Sequence, residues 1–171
     1  MTFIVEDGTG KDNAESYISV ADADAYITKW HGSMTAWDGL DESGKQIALR
    51  KATRYIDSFS YMGARTFASQ ALSWPRVGIG LVDGQYYAVN VIPRKVVSGT
   101  MEAVIKYVEG ENLFPNHYGA SIQSEGSTVG PLADNVSYFT GKQPEKVFES
   151  INKLIRPFFS GSRHTLERGV G

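Results

Sequence analysis

The chain contains no cysteine among its 171 residues, which excludes disulfides, thiol nucleophiles and thiolate metal sites together. Histidine is nearly as scarce. His31, His117 and His164 are scattered and never fall at the spacing of a metal-ligand pair. Long apolar runs are missing: Ala103-Val104-Ile105 is closed off by Glu102 and Lys106, far short of the ~20 residues a bilayer-spanning helix requires. No membrane partner is expected. A basic excess is missing too, since the formal charge of −2 offers no overall attraction for phosphate backbones. The opening Met-Thr-Phe-Ile-Val-Glu-Asp has neither the basic start nor the apolar stretch of a signal peptide, so synthesis in the cytoplasm is expected.

Catalytic arrangements are equally thin. No Gly-x-Ser-x-Gly elbow occurs, and Gly161-Ser162-Arg163-His164 falls in a polar tail. Gly8-Thr9-Gly10-Lys11 has part of the look of a phosphate loop. It lacks the upstream glycine and the following Ser/Thr, and Glu6 and Asp7 precede it where they would repel phosphate. A turn is the simpler reading. Gly78, Gly80 and Gly84 do not fit a dinucleotide fingerprint. Asp22 and Asp24, two apart on a helix, point to different sides, and Asp7, Asp12 and Glu15 lack the calcium-loop pattern. The sequence is that of a non-catalytic protein with no cofactor.

What is present is amphipathic helix. Val20, Ala23, Tyr26, Ile27 and Trp30 recur at helical spacing, with Ser19 as cap, Asp22 three residues on, and Gly32 as stop. A second helix is expected over 42–59, capped by Asp41, with Ala48, Ala52, Tyr55, Ile56 and Phe59 on one stripe. A third opens at Pro93, presents Val97, Met101, Val104, Ile105 and Val108, pairs Glu102 with Lys106, and ends at Gly110. Gly99 counts against it. A fourth spans 145–156, opened by Pro144, with Val147, Phe148, Ile151, Leu154 and Ile155 inward.

About 33 residues separate the second and third helices, too many for a featureless loop. Val77–Val82, an Asp83-Gly84 turn and Gln85–Val91 read as a hairpin. A weaker pair, Ile122–Glu125 and Val136–Phe139, flanks Gly130 and Pro131. No internal repeat or low-complexity tract is present. The expected class is mainly α (α+β): one domain over 1–171, a small bundle of about four helices with β-hairpin extensions. Polar termini form mobile arms at about 1–16 and 161–171.

Two groups of residues admit a functional reading. Lys45, Arg50, Lys51 and Arg54 gather on the polar side of the second helix, either as a solvated face or as a surface that meets acid or nucleic acid. Arg156, Phe158, Phe159, Arg163 and Arg168 mix aromatic and basic residues near the C-terminus, either as a docking segment or as local packing.

The chain also resembles a known family. Ile4-Val5-Glu6-Asp7-Gly8-Thr9-Gly10, Asn13-Ala14-Glu15-Ser16-Tyr17-Ile18-Ser19-Val20 and Ala23-Asp24-Ala25-Tyr26 look like the head–tail connector (adaptor) proteins of tailed bacteriophages. Gln70-Ala71-Leu72-Ser73-Trp74-Pro75-Arg76, the Asp83-Gly84 hairpin and Ile92-Pro93-Arg94-Lys95-Val96 strengthen the likeness. It covers roughly residues 3 to 109 and is looser beyond. Some members of that family carry a primosomal DnaT-like label.

The resemblance implies a structural subunit of a homo-oligomeric ring, commonly a dodecamer, in the virion neck between capsid and tail. Such a ring docks beneath the portal protein, extends the channel through which double-stranded DNA passes without tight binding, and presents a surface to the downstream neck or tail protein. On this reading Trp74 and Arg76 join Arg156, Phe158, Phe159, Arg163 and Arg168 as candidates for the subunit or portal interface. Lys45, Arg50, Lys51 and Arg54 remain the candidate DNA- or acid-facing patch. The alternative is a single-stranded-DNA-binding replication protein. It would need aromatic platforms among basic residues, and none interleaves the polar face of the second helix. A hydrolase or nuclease would need an acidic metal cluster that the sequence does not supply.

Overall fold

In a computed structural model the described residues are 2–114, 124–129, 132–137 and 148–160. Helices dominate: α1 Val20–His31, α2 Thr35–Asp38, α3 Glu42–Asp57, α4 Arg94–Val108 and α5 Glu149–Ile155, the last running into a 3-10 turn at Arg156–Phe158. Among the described residues, six short strands form three antiparallel pairs. β1 (Ala64–Arg65) pairs with β2 (Arg76–Val77), β3 (Leu81–Val82) with β4 (Gln85–Tyr86), and β5 (Ser124–Val129) with β6 (Leu132–Ser137). The fold is mainly α with small β extensions. The chain divides into two compact units, Phe114–Val147 and the remainder. The smaller contains β5 and β6, longer than the flanks expected around Gly130 and Pro131 and paired from Ser124↔Ser137 to Val129↔Leu132.

Local chemistry places the helix ends. The Ser19 hydroxyl accepts from Asp22 N at 3.1 Å, and the Asp41 carboxylate accepts from Gly44 N at 2.7 Å, each satisfying a first-turn N–H that has no partner inside the helix. Gly32 and Gly110 follow α1 and α4 with φ of 71° and 93°. Pro157 cannot donate to a continuing α-helix, and the 3-10 turn takes over there. The expected start of the fourth helix at Pro144 to Val147 lies outside the described residues.

The core of the larger unit lies where α3, α4 and α5 meet. Ala48, Leu49, Ala52 and Ile56 of α3 are fully buried, as are Val96, Met101, Ala103 and Val104 of α4 and Ile155 of α5. Small residues let the axes approach. A Cβ on Gly99 would sit 2.9 Å from Ile155 Cγ2 and 3.7 Å from Ile56 Cδ1, so the residue that weakens the helix in isolation makes room for its neighbours. Lys106 donates to Glu109 at 2.9 Å rather than pairing with Glu102.

Two expectations about these elements are corrected, and one element was not expected. The hairpin is shorter than Val77–Val82 with Gln85–Val91. Gly78 and Gly80 have φ of 73° and 72°, outside the strand region, so Val77 pairs instead with Ala64. The turn itself is as expected, with Asp83 and Gly84 at φ 52° and 75°, the pattern of a type I′ hairpin. Trp30 does not face inward: the buried residues of α1 end at Ile27, and every residue from Thr28 to Ser33 is exposed. α2 was not anticipated, because four residues are too few for a periodic signal. It carries Trp37 into the core, where the indole N–H donates to Asp24 at 2.7 Å.

The N-terminal stretch read as an arm is pinned to the body where the structure describes it. Within it Val5 bridges Ser16 in parallel, and from the body Ala71 N donates to Lys11 O at 2.9 Å and Thr53 Oγ1 to Ser16 Oγ at 3.3 Å. The expected arm at 161–171 lies outside the described residues.

Helix propensity predicts that Gly99→Ala stabilises α4 by about 1 kcal/mol, whereas forcing a methyl into a filled core costs about 1–3 kcal/mol. Packing should win. Urea unfolding is expected to show Gly99→Ala as net destabilised, and Gly99→Val considerably more so; a gain in stability for the alanine variant would contradict the packing described.

Candidate interaction surfaces

Between α3 and α4 the chain leaves the helical core and returns to it, and its first anchor is a buried carboxylate. Asp57, the last residue of α3, receives the Tyr17 hydroxyl on one oxygen and Ser73 N at 2.9 Å on the other. The same Tyr17 oxygen accepts Trp74 N at 3.1 Å. Burial pushes Asp57 above its ordinary carboxylate value, and the hydrogen bonds from Tyr17 and Ser73 oppose that shift only in part. Desolvation, reinforced by the neighbouring Asp57 charge, pushes the Tyr17 phenol far upward.

Arg76 supplies the second anchor. Its guanidinium donates to the carbonyls of Met62 and Gly63 at 2.8 Å each, Ser73 at 3.1 Å and Tyr61 at 3.3 Å, and lies 5.8 Å from the Tyr61 ring centroid. Four carbonyls from two stretches of chain converge on one cation, and charge-assisted bonds of this kind contribute about 1.5–3 kcal/mol each. Gln70, 2% exposed, closes the turn by donating to Leu72 O and Pro75 O at 2.8 and 3.0 Å.

On this rigid root stands a segment with much apolar surface in water. Phe67, Val77, Leu81, Tyr86, Val89 and Val91 are all exposed, Tyr86 to 80% and Leu81 to 57%. Leu81 and Tyr86 are direct cross-strand partners, so they stand side by side on one face of the ribbon while Val82 turns inward. Lys95 ties the Asp83 turn back to α4. With roughly 150–200 Å² for each large side chain when free, exposures from 41% to 80% leave on the order of 500 Å² of apolar surface in water.

A second, chemically different feature is the end of α1. Trp30 is 64% exposed, Lys29 Nζ lies 5.2 Å from its ring centroid, and the Tyr26 ring is 6.3 Å away. Here one exposed aromatic carries an ammonium over its ring.

The residues singled out from sequence divide sharply. Trp74 and Phe158 are fully buried, their rings meeting edge to face at 5.3 Å, so both are core and neither can anchor a partner. Arg76 is the internal clamp just described. Phe159 stacks on Phe59 at 5.3 Å, and Arg156 is exposed. Arg163 and Arg168, like His117 and His164, lie outside the described residues.

Of the basic patch, Lys45 donates to Asp24 at 2.8 Å and sits over Trp37, while Arg50 grips Glu15 through two bonds of 3.0 and 3.1 Å and sits over Phe3. Lys51 and Arg54 are the exposed members. The Arg50 bond holds Glu15 below the usual carboxylate range. Burial pushes Asp24 upward, and the donations from Lys45 and Trp37 together outweigh it.

From Val77 to Val91 the exposed segment falls where the sequence suggests a regular hairpin, and the glycines at 78 and 80 are the signal against it. Among the described residues no group of three or more His, Asp or Glu is arranged to hold a metal ion, and no helix is long and apolar enough to cross a membrane.

Over residues 1–169 the chain matches the family described as "Putative DnaT-like ssDNA binding protein", and it belongs to that family. The description carries the DnaT-like label and mentions no connector. No curated protein and no solved structure matches the chain.

The Asp57 anchor has a pH signature. With its pKa raised, the folded state holds the proton more tightly than the unfolded chain. This contribution is fully present below the ordinary carboxylate value of about 3.9 and is lost as pH rises through the folded value. Glu15 and Asp24, both lowered, act in the opposite sense: their contribution is present above the ordinary value and lost as pH falls through the folded one. Subtracting the urea-unfolding profile of Asp57→Asn from that of the wild type should leave a difference that declines upward from about pH 4. A flat difference across pH 3–7 would show that Asp57 is not buried as described.

Proposed function

We propose that this member of the DnaT-like family is a structural subunit of a homo-oligomeric ring in a bacteriophage neck. In this reading it docks beneath the portal, extends the DNA channel and presents a surface to the next neck or tail component. The observation that carries the reading is the exposed apolar segment from Phe67 to Val91 on its clamped root. A standard protein interface buries about 800 Å² per partner, and this segment supplies much of the apolar part of such an area. A partner that covers it gains in proportion to the surface removed from water. The rigidity given by Asp57 and Arg76 means little ordering is needed on contact. Identical copies joined head to tail close into a ring when the rotation between them allows it. The order and spacing of the motifs from residue 3 to 109 supply the neck and the portal.

A second reading, single-stranded-DNA binding, is favoured by one specific observation: the family's own description. The structure offers it less charge than the sequence suggested, since Lys45 and Arg50 are held by Asp24 and Glu15.

Light scattering and negative-stain imaging, with and without portal protein, separate the outcomes. The ring reading expects particles many times the monomer mass, alone or on the portal. It expects the double variant Leu81→Ser, Tyr86→Ser to lose assembly while its unfolding midpoint stays nearly unchanged, because both side chains are already in water. A wild-type chain that remains monomeric and never binds portal would sink the reading.

A further inference from the structure

Of the three tryptophans, Trp37 and Trp74 are 1% and 0% exposed, whereas Trp30 is 64% exposed. It stands on the last turn of α1, beyond the final buried residue Ile27, with Thr28, Lys29, His31, Gly32 and Ser33 all exposed around it. Lys29 Nζ lies 5.2 Å from the indole centroid. Tyr26 is tilted 49° to that ring at 6.3 Å, and the His31 ring is 6.4 Å from Tyr26. Among the described residues Lys29 has no carboxylate partner. The nearby acids are otherwise placed: Glu102 faces Tyr26 from α4, and Asp38 accepts from Ser33 Oγ and Met34 N at 2.8 and 3.0 Å.

This chemistry differs from that of the Phe67–Val91 segment. There, aliphatic and aromatic side chains share a surface with little charge, as a protein contact favours. Here an exposed indole carries a lysine ammonium over its ring, with the Tyr26 ring tilted beside it. A cation next to an aromatic face suits a ligand that is flat on one side and anionic on the other. A nucleotide in a single strand is such a ligand: its base can lie on the indole while its phosphate meets the ammonium. A paired base in a duplex is already stacked on both sides and cannot.

We propose that the end of α1 is a stacking platform for a base of single-stranded nucleic acid, with Trp30 giving the face and Lys29 the charge. The inference rests on the single-strand-binding reading of the family and assigns that reading a site. It needs no cofactor and no movement of the core, because the platform lies wholly outside it.

The location provides its own probe. With Trp37 and Trp74 buried, quenching of intrinsic fluorescence by an added oligothymidylate reports on Trp30. The full chain, titrated at low salt, should show saturable quenching. Anisotropy of a labelled oligothymidylate should show Trp30→Ala binding at least about fivefold more weakly, Trp30→Phe close to wild type, and Lys29→Ala with a salt dependence shallower by about 0.7 in log–log slope. Circular dichroism melts should be unchanged, since neither side chain is buried.

If the wild type binds the oligonucleotide and Trp30→Ala binds equally well, the platform is wrong while the single-strand reading survives. If the wild type shows no affinity even at low salt, the reading fails and takes the platform with it. If Trp30→Ala instead alters particle size and leaves nucleic-acid affinity intact, the indole is a protein contact and the assignment is overturned.

Discussion

One buried carboxylate joins segments that are far apart in sequence. Asp57 ends α3, binds the Tyr17 hydroxyl from the N-terminal stretch and binds Ser73 N from the excursion between the long helices. A carboxylate out of water is costly unless its oxygens are filled, and these donors offset part of that cost. Without Ser73 and Trp74 held here, Trp74 would have no fixed entry to the core. Arg76 would then lose the geometry that brings four carbonyls to its guanidinium. The apolar segment beyond stands on this junction, so its presentation in a defined shape depends on Asp57.

Internal carboxylates recur as the chain's own ligands, and this accounts for much of its electrostatic character. Glu6, 2% exposed, accepts backbone N–H groups from Gly8, Gly10 and Lys11 at 2.9, 2.8 and 2.8 Å. Successive N–H groups pointing inward form a concavity suited to an anion, so the likeness of Gly8-Thr9-Gly10-Lys11 to a phosphate loop is physically grounded. The occupant, however, is a side chain two residues upstream. Glu15 and Asp24 likewise hold Arg50 and Lys45. A balanced formal charge here therefore reflects pairing within the fold, and a count of basic residues on one helical face overstates what a polyanion would meet.

What could be read in the sequence was local. Ser19, Asp41, Asp83-Gly84 and Gly110 work through bonds or dihedral angles within a few residues, and each sits where its chemistry required. Burial was another matter. Trp30 lies on the same side of α1 as Ala23, yet the core ends a turn earlier, and periodicity cannot report where a neighbouring helix stops. Trp74, Arg76 and Phe158 look like interface anchors in one dimension because tryptophan, arginine and phenylalanine serve both purposes. Only the meeting of residues 17, 57, 74 and 158 distinguishes core from contact. The shortened hairpin is an intermediate case: Gly78 and Gly80 are legible as breaks, but the pairing of Val77 with Ala64 depends on the Arg76 clamp.

The two exposed features call for different physics, which bears on how the chain can act. Contacts made by Leu81, Tyr86 and the valines gain chiefly from leaving water, so they change little with ionic strength at moderate salt. A contact made through Lys29 and Trp30 with a polyanion weakens steeply as salt rises. A single subunit can carry both, because they occupy different elements and share no residue. In a ring, the apolar segment would be consumed between proteins, and whether Trp30 remained available would depend on where α1 ends relative to the channel. A subunit lining a DNA passage gains nothing from a strong grip on a duplex that must move. A lone indole that accepts only unstacked bases leaves a passing double strand ungripped.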